Sequence, residues 1–395
     1  MKSKLLGIAL FAITLGAVAY YPSLMAKNME ATPPIGHMIV PQHPKIDVVF
    51  VLDTTGSMSG LIETAKEKIW SIATTMAAAQ PTPEIRIGLV GYRDRSDAYV
   101  TKVIDLSDDL DSVYAALMDF QAGGGGDTPE SVNKALYDAV NQMSCSQGDQ
   151  AYRTVFLVGD APPHMDYNEV RFPEIVADAL RKGIVINTIQ CGDMPTTMQP
   201  WVQIANLGHG AFFQVEQAGG AVAYTTPYDT EIAALSAKLD DTRLYYGNKE
   251  VKNLMASKVA ATEKLHASAS VESRARRGVF NAAVAGKTNL LGDNELVDAI
   301  SSGTVELDEI EEEALPEALK PMAPAEQKAY VAGLAEERAE LNRQIQGLAA
   351  DRDGYLRKKV EESGGRKDSL DQKLYDAVKE QAGSAGFEYE DGPAY

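Results

Sequence analysis

Ile46-Asp47-Val48-Val49-Phe50-Val51-Leu52, followed without a break by Asp53-Thr54-Thr55-Gly56-Ser57, decides the fold. The first part is a continuous apolar, β-branched run, the pattern of a strand buried on both faces rather than on one. The second part is a polar turn at that strand's carboxyl end. A helical pattern follows from about Ser59 to Met76. Ile85–Tyr92 and Val100–Leu106 read as strands, and the charged Arg93-Asp94-Arg95-Ser96-Asp97 between them predicts a hairpin at a sheet edge. Helical stretches at Asp109–Phe120 and Pro129–Met143 come next. Then strands at Thr154–Val158, Ile184–Gln190 and Phe212–Val215 alternate with helices at Val170–Lys182 and Met198–Leu207. This alternation predicts an α/β fold: a doubly wound, mostly parallel sheet with helices on both faces. Ligands of such sheets sit outside the carboxyl ends of the strands. Asp53, Asp160, Gly192-Asp193 and the Gly123–Thr128 loop all fall there.

The chain has 395 residues, of which 45 % are hydrophobic and 24 % charged, so it can bury a sizeable core. Its net charge of −19 argues against nucleic acid, which selects clustered Lys and Arg. The N-terminus reads as an export signal. Lys2 and Lys4 precede the apolar run Leu5–Ala19, and Ala17-Val18-Ala19 and Leu24-Met25-Ala26 offer small-residue cleavage sites. The run is shorter than the ~20 residues of a membrane span; left uncleaved, it would serve as an anchor. Cys145 and Cys191 form no disulfide framework and have no metal-ligand spacing. They are expected as free thiols, because the topology puts them at opposite sheet edges.

Asp53, Thr55 and Ser57 occupy alternate positions of one turn and can converge. They offer one carboxylate and two hydroxyls, hard oxygen donors suited to Mg²⁺ or Mn²⁺. Gly124-Gly125-Gly126-Asp127-Thr128-Pro129-Glu130 adds a hydroxyl at a helix start, and Val158-Gly159-Asp160 adds a second carboxylate at a strand end. Taken singly, each piece has an ordinary reading; Thr128-Pro129-Glu130, for example, is a good N-cap, N1 and first-turn acid. In this order the pieces resemble the metal-ion-dependent adhesion site of the von Willebrand factor A family, with Thr55 standing where many members have Ser. The resemblance spans about Lys45 to Val215. It implies that Asp53, Thr55, Ser57, Thr128 and Asp160 hold Mg²⁺ or Mn²⁺, that the hydroxyls touch the ion, and that at least one Asp acts through water. One position would remain for a partner's Asp or Glu.

Other motifs carry less. Gly286-Lys287-Thr288 ends like a phosphate loop, but Asn281 stands where the first glycine is required, so no nucleotide is expected. The Gly123–Gly126 run lacks a dinucleotide fingerprint. Asp53-x-Thr55 lacks the second acid of a phosphoryl-transfer pair. His164 is the best general base among the histidines, yet no nucleophile is placed beside it. Tyr92-Arg93-Asp94-Arg95 reads as a solvated hairpin tip or a rim of the binding face.

Beyond Pro227 strand-like runs disappear. Ala325–Val360 reads as a long helix, with Leu334, Leu341, Leu348 and Tyr355 in one stripe. The companion stripe, Val331, Arg338, Ile345 and Arg352, is only half apolar, which favours a bundle helix over a coiled coil. The stretch from Gly383 reads as frayed. The organisation expected is a signal peptide (1–26), a linker (27–44), a metal-binding domain (45–218) and a mainly α-helical C-terminal region (225–395). The function expected is a non-enzymatic, metal-dependent protein-binding module, exported to the periplasm or cell envelope, with a membrane contact only if the N-terminal segment stays uncleaved. Two alternatives are an accessory subunit of a larger assembly and, on the strength of His164 alone, a metal-dependent hydrolase. The export reading predicts that intact-mass analysis of the mature protein finds its N-terminus after Ala19 or Ala26. A mass that includes Met1–Ala19, with the protein in the membrane fraction, means an anchor instead.

Overall fold

The computed structural model describes residues 44–126, 128–148, 150–216, 224–362 and 370–389. The export and linker segments and Asp127 lie outside the described residues.

The sheet follows the chain through β1 (Lys45–Asp53), β2 (Glu84–Tyr92), β3 (Thr101–Ser107), β4 (Ala151–Gly159), β5 (Ile184–Cys191) and β6 (His209–Val215). Its spatial order is β3-β2-β1-β4-β5-β6, with every pair parallel except the β2–β3 edge hairpin. The direction of winding therefore reverses between β1 and β4. That is the switch point at which a doubly wound sheet opens a crevice.

Side chains alternate across β1, as strand geometry requires. Ile46, Val48, Phe50 and Leu52 enter one core with α1 (Ser59–Ala77) and α2 (Leu110–Met118). Val49 and Val51 enter the other, with α3 (Val132–Asn141), α4 (Phe172–Arg181) and α5 (Pro195–Leu207). The third helix starts at Val132, later than the expected Pro129. Glu130 donates its N–H to Pro162 O (3.0 Å) and accepts from His164 N–H (3.0 Å), so its backbone groups are engaged across a β-bridge and cannot open a helix. Ser131, and not Thr128, takes the N-cap position.

The C-terminal helices are α6 (Asp229–Asp241), α7 (Lys249–Ser268), α8 (Val271–Asn281), α9 (Lys287–Leu291), α10 (Leu296–Ser301), α11 (Pro324–Glu362) and α12 (Leu370–Gly383). They pack onto the sheet domain: Leu265, Phe280, Tyr375 and Val378 belong to the same core as Trp70 and Tyr114. The stretch after Gly383, expected to fray, is anchored through residue 389. Phe387 and Tyr389 are buried, and Glu388 pairs with Gln80 through both backbone groups (2.8 and 2.9 Å). In α11 the two arginines that interrupt the second stripe are buried. Arg338 binds both oxygens of Glu295 (2.8 and 3.0 Å), and Arg352 binds Asp229 (2.8 Å). Among the described residues no helix is long and apolar enough to cross a membrane. Cys145 and Cys191 are free thiols.

Arg277 of α8 joins the two halves. It is fully buried and clamps Asp111 of α2 (2.6 and 2.5 Å) and Asp240 of α6 (2.7 and 2.9 Å). Burial alone would raise both carboxyls, but the guanidinium more than reverses this and holds both below their ordinary range. Arg277→Met leaves two buried carboxylates uncompensated. It is expected to cost on the order of 3–5 kcal/mol in urea unfolding, against under 1 kcal/mol for a solvent-facing pair such as Lys328–Asp308. Equal costs at the two sites would contradict the role given to Arg277.

Candidate functional site

Asp53 ends β1 beside β4, where Leu52 lies opposite Val158. It is fully buried because strands flank it on both sides. Its Oδ1 accepts from the Thr55 N–H (2.8 Å) and the Thr55 hydroxyl (2.7 Å), and the Thr55 oxygen lies 3.3 Å from Ser57 Oγ. The turn thus gathers Asp53, Thr55 and Ser57 as their alternate spacing predicts. With its proton committed to Asp53, the Thr55 hydroxyl keeps its lone pairs for a cation.

The loops around this turn are laced together. Gly56 N–H donates to Gly124 O (3.1 Å) and Gly123 N–H to Thr54 O (3.1 Å). Arg93 spans Thr54 O (3.1 Å) and Gln121 O (2.7 Å) and lies over the Tyr99 ring. Of the Tyr92–Arg95 segment, therefore, only Arg95 is exposed as a solvated tip would be. Tyr92 and Asp94 are buried, and Asp94 accepts from Ser131 Oγ (2.8 Å) and the Tyr167 hydroxyl (2.7 Å). Burial opposes its charge, yet these two donors hold Asp94 below its usual value.

Asp160 is half-buried at the end of β4, within electrostatic reach of Asp53. Its carbonyl is tied to the start of α5 by Thr197 Oγ1 (2.7 Å). Thr128 is exposed on the loop between Gly125, which abuts Thr55, and Glu130. Of the residues read from sequence, Asp53, Thr55 and Ser57 are joined by hydrogen bonds, Asp160 by charge, and Thr128 by its place on the third loop.

Two residues that the sequence reading did not place among the ligands also face this space, Glu130 and Tyr92. Burial, followed by the charges of Asp53, Asp94, Asp97 and Asp160, pushes Glu130 up to about 8. Burial likewise raises Asp53 to about 7, against hydrogen bonds from Thr55 and the Asp160 backbone and reinforced by the Asp160 charge. The Tyr92 phenol is driven well above its ordinary value by burial and then by Asp53, Glu130 and Asp160. Asp53 Oδ2, Glu130 Oε2 and the Tyr92 hydroxyl are buried without a hydrogen-bond partner among the described residues. Glycines keep the space open. A methyl group at Gly159 would collide with the Tyr92 hydroxyl and stand 3.1 Å from Asp53 Oδ2. One at Gly125, where φ is +73°, would stand 3.0 Å from Thr55 Cβ and 3.3 Å from Glu130 Oε1.

A buried carboxylate oxygen with no donor calls for a cation or a proton. The donor set here is oxygen only, which fits a hard divalent ion. Among the described residues no group of three or more His, Cys, Asp or Glu is arranged to hold a metal; the residues at issue combine carboxylates with hydroxyls. His164 faces carboxylates, with Nδ1 2.8 Å from Asp166 and Nε2 3.5 Å from Asp94.

Comparison with known proteins bears on the first half of the chain. A putative ariadne-like RING finger protein of Acanthamoeba polyphaga mimivirus is 29% identical over 126 residues, 31% of this chain; the chain spans only 12% of that protein's length. The crystal structures of the SpRpn10 VWA domain and of proximal thread matrix protein 1 from the mussel byssus each align with 44% of this chain at 14% identity and a TM-score of 0.34. The alignments cover 88% and 42% of those chains respectively. Residues 47–226 match the family model described as von Willebrand factor A domain. This segment, with its mostly parallel sheet and flanking helices, is similar to the von Willebrand factor A domain family.

Proposed function

We propose that this protein is a metal-dependent binding module of the cell envelope, in which Asp53, Thr55, Ser57, Thr128 and Asp160 hold Mg²⁺ or Mn²⁺ and the ion takes an Asp or Glu of a partner protein. One observation carries this reading: the buried Asp53 carboxylate, with one oxygen committed to Thr55 and the other lacking a side-chain donor, beside the carboxylate and backbone of Asp160. A divalent ion meets that need and supplies a positive centre to which a partner's carboxylate can bind. Hydroxyl ligands add no charge, so they leave the ion electrophilic. The domain family generally mediates protein interactions, and the export reading of residues 1–26 puts the module outside the cytoplasm.

Mg²⁺ at a hundred times its dissociation constant is expected to add about 2.7 kcal/mol of stability. Asp53→Asn removes the charge at constant volume. It should abolish that gain while melting no lower than wild type in EDTA. The pH dependence has a definite sign. Asp53 and Glu130 are raised in the folded protein to about 7 and about 8. The folded state therefore binds more protons than the unfolded one between about pH 4 and pH 8. Metal-free protein should lose stability as pH rises through that window, and Mg²⁺ should flatten the loss. Melting at pH 5.5 and pH 8, in EDTA and in Mg²⁺, reads both effects. An unchanged Mg²⁺ response in Asp53→Asn would move the ion elsewhere.

A further inference from the structure

The segment that follows Asp160 is held to the β2–β3 hairpin by a stack of side chains. His164 is buried, and its ring lies flat on Tyr167, with centroids 3.8 Å and planes 13° apart. Arg95 of the hairpin covers Tyr167 at 3.7 Å, necessarily on its other face, and pairs with Glu169 (2.8 Å). Asp94 of the hairpin accepts from the Tyr167 hydroxyl (2.7 Å) and from Ser131 Oγ (2.8 Å). Both nitrogens of His164 face carboxylates. Nδ1 stands 2.8 Å from Asp166. Nε2 is buried without a hydrogen-bond partner among the described residues and stands 3.5 Å from Asp94. The main chain of His164 is fixed as well: its N–H donates to Glu130 O (3.0 Å), and its carbonyl accepts from the Asn133 amide.

A neutral imidazole carries one N–H, so it can donate to one of these carboxylates and must turn a lone pair toward the other. An imidazolium carries two and serves both, with opposite charge. Both acids stay ionised while the ring titrates. The hydrogen bond from His164 holds Asp166 below its usual range, and Asp94 is held low against its burial by Tyr167 and Ser131. We propose that His164 is a pH-sensitive latch: protonated, it bridges Asp94 and Asp166 and fastens the 162–169 segment to the hairpin; neutral, it gives up one of the two. Imidazole is the side chain whose charge changes between pH 5 and pH 8. Among the other charged groups around it, Arg95 and Glu169 neutralise each other, and Asp97 is engaged by the N–H groups of Asp94 (3.1 Å) and Gly125 (3.0 Å). Glu130 and Asp53 titrate in the same window. Because the segment continues from Asp160 at the carboxyl end of β4, the latch sets how firmly one rim of the crevice is held, whether or not the crevice takes an ion.

The test is amide hydrogen exchange of the full chain in EDTA at pH 5.5 and pH 8, each rate divided by the intrinsic rate at that pH. The reporters are the Glu130 and His164 amides, which bond across the bridge between their segments (both 3.0 Å). Their protection should be roughly fivefold higher at pH 5.5, the scale of a partly screened ion pair. His164→Gln keeps a hydrogen-bonding group but cannot take a charge, so at pH 5.5 it should exchange as wild type does at pH 8. Asp166→Asn alters a solvent-exposed side chain and should remove part of the difference. Asp53→Asn and Glu130→Gln silence the other groups that titrate in this window and should leave the difference in place. Equal protection at the two pH values in wild type overturns the latch. So does a difference that survives His164→Gln, or one that vanishes in Asp53→Asn or Glu130→Gln. Should His164→Gln fail to fold, an undiminished difference in Asp166→Asn decides against the latch.

Discussion

A carboxylate is buried at the point where the sheet reverses its winding, and the loops of this domain are organised around it. Asp53 continues a strand flanked on both sides, so its side chain cannot leave the protein, and the turn that follows supplies donors to only one of its oxygens. Neighbouring choices follow from that. Gly159 leaves room beside Oδ2, and Gly125 lets the third loop approach Thr55. Arg93 ties Thr54 to Gln121 and so fixes the turn against that loop. The arrangement leaves buried acidic oxygens short of donors, a local cost of the kind that accompanies a binding centre in its scaffold.

The C-terminal helices meet the domain through charge as well as apolar packing. Arg277 reaches from α8 to Asp111 under the sheet domain and to Asp240 of α6, so one guanidinium connects both halves. The chain also returns at its end. Tyr152 of β4 donates to Gln381 of α12 (2.6 Å), and Gln381 exchanges hydrogen bonds with Asn187 of β5 (2.8 and 3.1 Å). The sheet face opposite α3–α5 is thus completed by residues nearly two hundred positions further along the chain.

Much of this was legible because the local signals were strong. The unbroken apolar run of β1 announced a strand buried on both faces, and the alternate spacing of the polar turn after it announced that Asp53, Thr55 and Ser57 would gather. Glu130 was hidden because its neighbours, Thr128 and Pro129, form an acceptable helix start; only the bridge to the Pro162–His164 segment, distant in sequence, withdraws it from the helix. Arg338 and Arg352 looked like breaks in an apolar stripe because their partners, Glu295 and Asp229, belong to other helices. Gly and acidic residues after Gly383 masked Phe387 and Tyr389, whose alternation suits a short extended segment packed on the core. In each case the missing information was a long-range partner, which no local pattern contains.

The most direct measurement is anomalous diffraction from crystals grown with Mn²⁺. The expected result is one strong anomalous peak at the carboxyl ends of β1 and β4, within about 2.0–2.6 Å of oxygens from the Thr55 and Ser57 hydroxyls, with the Asp53 and Asp160 carboxylates at ligand or water-bridged distance. A peak elsewhere, or none there at saturating Mn²⁺ with the Asp53 carboxylate still buried as it is here, would contradict the ion site and the binding role built on it.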